Sequence, residues 1–246
     1  MYREEVQLAL TSKKKKNNGR SSGGGRQWIL TKDTPWPVQE AYKTLRTNIM
    51  FSLPGNDCKV IGVTSAFRHD GKSINAINTA ISFCQIDKKT AIIEGDLRLP
   101  TISKKLGCQS VPGLSDMLIG HTSVTDSMRF MPQYNNLAVV PAGNIPPDPT
   151  WLLQSDQMRV LLDGLKRHYE YVFIDLPPVT SVSDAQILSP LVDGYIVVIR
   201  DNITEYRAVA DTLDQLEMAN ARVLGFVYND ADTEGNGKYY KHGYYK

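Results

Sequence analysis

Six short runs rich in apolar and β-branched residues recur along the chain: KVIGVT (59–64), TAIIE (90–94), LAVVP (137–141), YVFID (171–175), YIVVI (195–199) and LGFVY (224–228). Each reads as a continuous apolar stretch rather than an alternation. Such stretches fit strands buried on both faces, as in a parallel sheet covered by helices. The connections supply the helices, with amphipathic patterns over 72–84, 151–168 and 205–219. Another, Val38–Phe51, precedes the first run, with Val38, Tyr42, Leu45 and Ile49 at helical spacing. Strands alternating with helices predict an α/β fold, a mostly parallel sheet with helices on both faces. A chain of 246 residues, 41% of them hydrophobic, can bury one such core and needs no second domain.

The ends have a different texture. Residues 11–25, TSKKKKNNGRSSGGG, join a like-charge block to a Gly/Ser run, too little apolar surface to offset the entropy of ordering. This predicts a flexible basic segment over 1–35, a globular body over 36–229 and a mobile tail over 230–246, DADTEGNGKYYKHGYYK. Lys13–Lys16 are either solvated or a contact for an anionic membrane surface, where each lysine adds about 1 kcal/mol. A net charge of +2 gives no reason to expect a nucleic-acid partner. No apolar run approaches the roughly 20 residues that span a bilayer, and the N-terminus lacks the order of a signal peptide, so a cytoplasmic location is expected. Cys58, Cys84 and Cys108 match neither a metal pair nor a disulfide framework and are expected to be reduced, packed thiols.

Between the first strand run and the helix at 72–84 lies TSAFRHDGKS. Strand, loop and helix in that order are the setting of a P-loop, G-x-x-x-x-G-K-[ST], and Gly71, Lys72 and Ser73 match its end. The leading glycine position is Ala66, and Arg68 and His69 stand where such loops carry small residues. In this setting Gly71 lets backbone approach phosphate, Lys72 reaches the β and γ oxygens, and the Ser73 hydroxyl ligates Mg2+. Phe67, Arg68, His69, Asp70 and Ile74 complete the expected nucleotide contacts, together with Asn229 at the end of the last run.

Such a site also needs carboxylates at the C-terminal ends of neighbouring parallel strands. AIIEGDLRLP ends in Glu94 and Asp96, whose i, i+2 spacing puts both on one side if the strand continues. YVFIDLPP ends in Asp175, the usual place of an aspartate that holds Mg2+ directly or through water. The expected catalytic residues are therefore Lys72, Glu94, Asp96 and Asp175, and the expected metal ligands Ser73, Asp96 and Asp175.

Over about residues 36–246 the chain resembles the bacterial tyrosine kinases of capsular and exopolysaccharide operons, the BY-kinases. The resemblance rests on stretches in a fixed order: EAYKTLRTNIMFS, TSAFRHDGKS, IIEGDLRLP, GLSDMLIG, VVPAGNIPPDPTWLLQS, YVFIDLPPVTSVSDAQIL and a tyrosine-bearing tail. It implies a P-loop NTPase-type fold and ATP- and Mg2+-dependent phosphoryl transfer to protein tyrosines. The acceptors would include the tail residues Tyr239, Tyr240, Tyr244 and Tyr245 of neighbouring copies. It further implies a ring-like homo-oligomer built through Glu40, Lys43 and Arg46, and a membrane adaptor of the polysaccharide co-polymerase type that keeps the kinase peripheral at the inner face of the cell membrane. Two other readings share the fold: a nucleotide-binding regulatory module with weak catalysis, and a partitioning-type ATPase. The signature-lysine position of the latter is Phe67 here.

Three departures from the family pattern stand out. Arg68, His69, Asp70 and Ile74 replace Pro, Gly, Glu and Thr of the usual loop. Lys43 replaces an arginine of the oligomerisation helix, and lysine gives no planar bidentate contact. Glu94 replaces an aspartate that in the family helps deprotonate the acceptor tyrosine. Its extra methylene moves the carboxylate by roughly 1.5 Å, a displacement on the scale that costs on the order of 10²-fold in rate. Restoring aspartate at 94 is accordingly expected to raise the rate.

Overall fold

The computed structural model describes the backbone of residues 7–9 and the whole of residues 28–231. Its strands are β1 (Gln7–Ala9), β2 (Lys59–Ser65), β3 (Thr90–Glu94), β4 (Arg129–Phe130), β5 (Leu137–Val140), β6 (Tyr171–Asp175), β7 (Gly194–Arg200) and β8 (Val223–Asn229). They form one sheet in the order β1-β8-β7-β2-β6-β3-β5-β4, parallel throughout except for the antiparallel edge strand β4. The six apolar runs thus become six adjacent parallel strands, as their lack of alternation requires.

Because successive side chains leave a strand on opposite faces, each run divides between two cores. Phe173 of β6 joins Ile61, Ile92 and Ile196 beneath α1 (Trp36–Ser52) and α2 (Lys72–Cys84). Val172 and Ile174 join Val60, Ile93 and Val197 on the other face. Leu161, Leu162 and Leu165 of α7 (Asp156–Lys166) and Leu216 of α9 (Tyr206–Met218) cover that second face. Gly62 of β2 makes room for the Tyr195 ring, because a Cβ there would lie 2.4 Å from a ring carbon. Tyr195 in turn donates to the Ala185 carbonyl at the start of α8 (Asp184–Leu188), pinning that helix to the sheet.

Two sequence expectations need correction. The pattern over 151–168 is not one helix but α6 (Pro149–Leu153) and then α7, broken at Gln154–Ser155. Asp148 accepts the Trp151 N–H and Pro149 opens the first helix, while the Ser155 hydroxyl donates back to the Leu152 carbonyl. Packing also starts before residue 36. Ile29 and Leu30 are buried in the first core, the Leu30 N–H donates to Asn78 Oδ1, and Asn78 Nδ2 donates to the Trp28 carbonyl. Gln7–Ala9, within the segment expected to be flexible, pairs with β8. At the other end Asp230 is paired with Arg200 at 3.0 Å. The lysine block Lys13–Lys16 and the tail tyrosines Tyr239, Tyr240, Tyr244 and Tyr245 lie outside the described residues. Among the described residues no helix is long and apolar enough to cross a membrane. The three cysteines are free thiols, Cys84 buried and Cys58 and Cys108 half-buried.

Candidate phosphoryl-transfer site

Strand order places the site. The ends of β2, β6 and β3 lie side by side, with Val63 opposite Asp175 and Asp175 opposite Glu94. The chain leaves β2 for α2, so the P-loop opens at the crevice beyond the strand ends where α/β sheets bind ligands.

The loop is braced from three sides. Asp70 accepts the Phe67 N–H through one oxygen and the Thr204 hydroxyl through the other, while Asn229 Nδ2 donates to its carbonyl. Thr180 donates to the Ala66 carbonyl, and Ala66 is fully buried in the position where the motif has glycine. Gly71 closes the loop at φ +99°, a left-handed conformation, and a Cβ there would come within 2.2 Å of Asn229 Nδ2. Both facts require glycine. From Gly71 onward α2 begins, and its first-turn N–H groups lack intrahelical partners, the arrangement that binds anions. Arg68 and His69 are exposed at the loop tip, and His69 is itself left-handed at φ 71°.

Lys72 lies at the start of α2 with its ammonium 2.8 Å from Asp96 Oδ2, 3.4 Å from Asp175 Oδ1 and 3.4 Å from the Ser73 hydroxyl. Burial would lower the Lys72 pKa, but Asp175 and Asp96 outweigh it and hold the group above the ordinary lysine value. Burial raises the Asp175 carboxyl, and Lys72 offsets this only in part. One ammonium is therefore shared by two desolvated carboxylates at the helix N-terminus. Asp96 gets there by an unexpected route. β3 ends at Glu94, so Glu94 and Asp96 do not share a strand face; Asp96 lies in the following turn, where its second oxygen accepts the Leu99 N–H.

Glu94 is fully buried, and both its oxygens accept backbone N–H groups: Oε1 from Ile102, at the start of α3 (Ile102–Leu106), and Oε2 from Ala142, beyond β5. Of the remaining expected nucleotide contacts, Phe67 is part-exposed beside the loop, Ile74 packs against the first core, and Asn229 holds the loop from behind. Glu40, Lys43 and Arg46 lie on α1. Glu40 and Lys43 pair at 2.6 Å, while Arg46 donates to the Ser82 carbonyl of α2.

Sequence reasoning missed Thr180, Thr204 and Arg200, which support the loop from 110 or more residues away and carry no local signal. It also missed Lys105 on α3, half-buried among the charges of Asp175, Lys72 and Glu94, with burial pulling its pKa below the ordinary lysine value. No cluster of three or more His, Cys, Asp or Glu side chains that could hold a metal occurs among the described residues. The two carboxylates and the Ser73 hydroxyl instead fit a divalent cation that shares its coordination with phosphate oxygens, as Mg2+ commonly does.

Fold and cluster together define a P-loop α/β nucleotide-binding protein. No family model matches the chain. It is 34% identical over 206 residues to the tyrosine-protein kinase YwqD of Bacillus subtilis, covering 84% of this chain and 85% of that one. Among solved structures, the chimerical protein CapA2B2 superposes with a TM-score of 0.77 at 32% identity, over 81% of this chain and 88% of that one. The kinase domain of the Escherichia coli tyrosine kinase ETK gives 0.75 at 27% identity, over 85% and 81%. The chain belongs to the bacterial tyrosine-kinase family, and it is an enzyme of the protein-tyrosine kinase class.

Proposed function

We propose that this kinase uses ATP and Mg2+ to phosphorylate tyrosines of its own C-terminal tail in trans, within a ring-like homo-oligomer. With a membrane adaptor holding it at the inner face of the membrane, it thereby regulates capsular or exopolysaccharide synthesis. The observation that carries the reading is Lys72 at a P-loop helix N-terminus, in contact with Asp96 and Asp175 at adjacent strand ends. In the reaction the tyrosine oxygen forms a bond to the γ-phosphorus and the bond from that phosphorus to the β,γ-bridging oxygen breaks. ADP keeps the electron pair, and the phenol proton passes to solvent. Mg2+, when bound, neutralises charge on the β and γ oxygens. The loop N–H groups and the α2 N-terminus hold the phosphates, and Lys72 moves its charge from the carboxylates to the γ-phosphoryl group. Ser73, Asp96 and Asp175 would hold the metal, which replaces the lysine as their counter-charge.

Two features support the tail as acceptor: Tyr239, Tyr240, Tyr244 and Tyr245 fall within seven residues among lysines, while the tyrosines of residues 28–231 are buried or half-buried except Tyr206, which is exposed. Tyr42, for example, is buried, donates to Asn75 and accepts from Asn78. The test is a phosphotyrosine blot of the chain with Mg-ATP and the cytoplasmic end of its adaptor. Signal is expected from the wild type and not from Lys72→Met, and replacing the four tail tyrosines with Phe is expected to remove most of it. Full signal from Lys72→Met would remove the P-loop from the mechanism.

A further inference from the structure

Lys105 belongs to no motif, yet it sits one turn into a helix that starts on Glu94, the ladder neighbour of Asp175, whose carboxylate is 3.4 Å from the Lys72 ammonium. Burial pulls the Lys105 pKa down, Lys72 adds to this, and Asp175 and Glu94 oppose it. Lys105 is half-buried, and no hydrogen bond or ion pair holds its ammonium among the described residues. α3 is only five residues long and cannot hold its own position by length. What fixes it is its first residue. The Ile102 side chain is fully buried and its N–H ends on Glu94 Oε1, while Glu94 Oε2 is tied to Ala142. Lys105, three residues on, is carried on the same side of that turn.

We propose that Glu94 is a positioning residue that seats α3 on the strand ends, and that Lys105, carried by that helix, is a second lysine for the transferring phosphoryl group beside Lys72. This rests on the kinase reading above. Negative charge spreads over the equatorial oxygens of the γ-phosphoryl group during transfer, and an ammonium already withdrawn from water and unpaired meets it with little reorganisation. Glu94, buried and bound to two backbone amides, presents no surface to an acceptor hydroxyl. It supports the reaction through the helix it holds.

The experiment compares Lys105→Met, Lys105→Arg, Glu94→Gln, the Glu94→Gln/Lys105→Met pair and Lys72→Met. It reads phosphotransfer kcat with the adaptor fragment, equilibrium affinities for ATP and ADP, and amide hydrogen exchange over residues 99–106 and 142. Lys105→Met is expected to lower kcat by at least about tenfold and to weaken ATP more than ADP, with Lys105→Arg restoring most of both. Glu94→Gln is expected to speed exchange at Ile102 and Ala142. Because it acts through Lys105, the pair should lose little more than the worse single variant. An unchanged kcat and an unchanged ATP-to-ADP affinity ratio in Lys105→Met overturn the role of the lysine, and fully multiplicative losses in the pair overturn the link to Glu94. If Glu94→Gln does not fold, the two Lys105 variants still decide the first point and the double variant is replaced by Glu94→Asp/Lys105→Met. An inactive Lys72→Met beside a wild-type-like Lys105→Met defeats this inference alone, whereas an active Lys72→Met defeats the kinase reading beneath it.

Discussion

The ends of β3 and β6 are neighbours in register, and their carboxylates are used in opposite ways. Asp175 turns its charge toward Lys72 and the crevice. Glu94, directly opposite it in the ladder, places both oxygens on backbone amides from two other parts of the chain. Asp116 of α4 (Leu114–Leu118) belongs with Glu94: it accepts from the Gly113 N–H, the Asn144 N–H and Asn144 Nδ2. The difference lies in what approaches each group. An acid that meets an ammonium in a crevice keeps a charge available for ligands, whereas an acid enclosed by orphan N–H groups becomes part of the framework.

The contrast is sharpest if Asp175 is neutralised. Asp175→Asn removes the charge facing the metal position and is expected to lower phosphotransfer by on the order of 10²-fold and to shift its Mg2+ dependence. Thermal stability should hold, because burial already disfavours that charge. Activity and melting curves over a Mg2+ series check this, and a large loss of melting temperature with unchanged activity would place Asp175 in the framework class.

Glu94→Asp should do the reverse. The geometry revises the expectation from the family pattern, since the shorter side chain cannot reach both Ile102 and Ala142 and leaves a buried amide unpaired. That costs about 1–3 kcal/mol, which corresponds to a fall in melting temperature of roughly 2–12 °C for a domain of this size. A variant as stable as the wild type and faster would restore Glu94 to the chemistry.

The smallest effect concerns pH. Burial raises the Asp116 pKa, but the hydrogen bonds from Asn144 and Gly113 outweigh it and hold the carboxyl below its ordinary value. Its contribution is therefore fully present above the unfolded-state value of about 3.9 and is lost as pH falls through the lower folded-state value. The stability gap between wild type and Asp116→Asn, about 1–2 kcal/mol near neutrality, should narrow below pH of about 4. Denaturant melts at several pH values read it directly, and a gap that widens on acidification would contradict the assignment.

Strands and the phosphate loop were legible because their signals are local: continuous apolar runs, and a G-K-S directly after one of them. α2 has the bounds its pattern predicts, 72–84. The break at Gln154–Ser155 escaped because both halves carry apolar residues at helical spacing. Among the carboxylates, sequence named Glu94, Asp96 and Asp175 together, but only the end of β3 at Glu94 separates them. Once the ladder stops, the i, i+2 rule no longer applies, and the partners of Glu94 come from residues 8 and 48 positions away. No spacing within the motif contains that information.

Gly71 is constrained twice, and the two constraints differ in kind. The shortage of space is owed to Asn229 and could be relieved by a smaller residue there. The left-handed turn is owed to the chain itself, and nothing elsewhere in the molecule can excuse a side chain from it. Of the residues from Ala66 to Gly71, glycine is therefore the one letter that cannot be traded against a change at a distance. The exposed Arg68 is free to drift around it, and position 69 can vary within what its own left-handed backbone allows, which is how a loop can look unlike its relatives and still close in the same place.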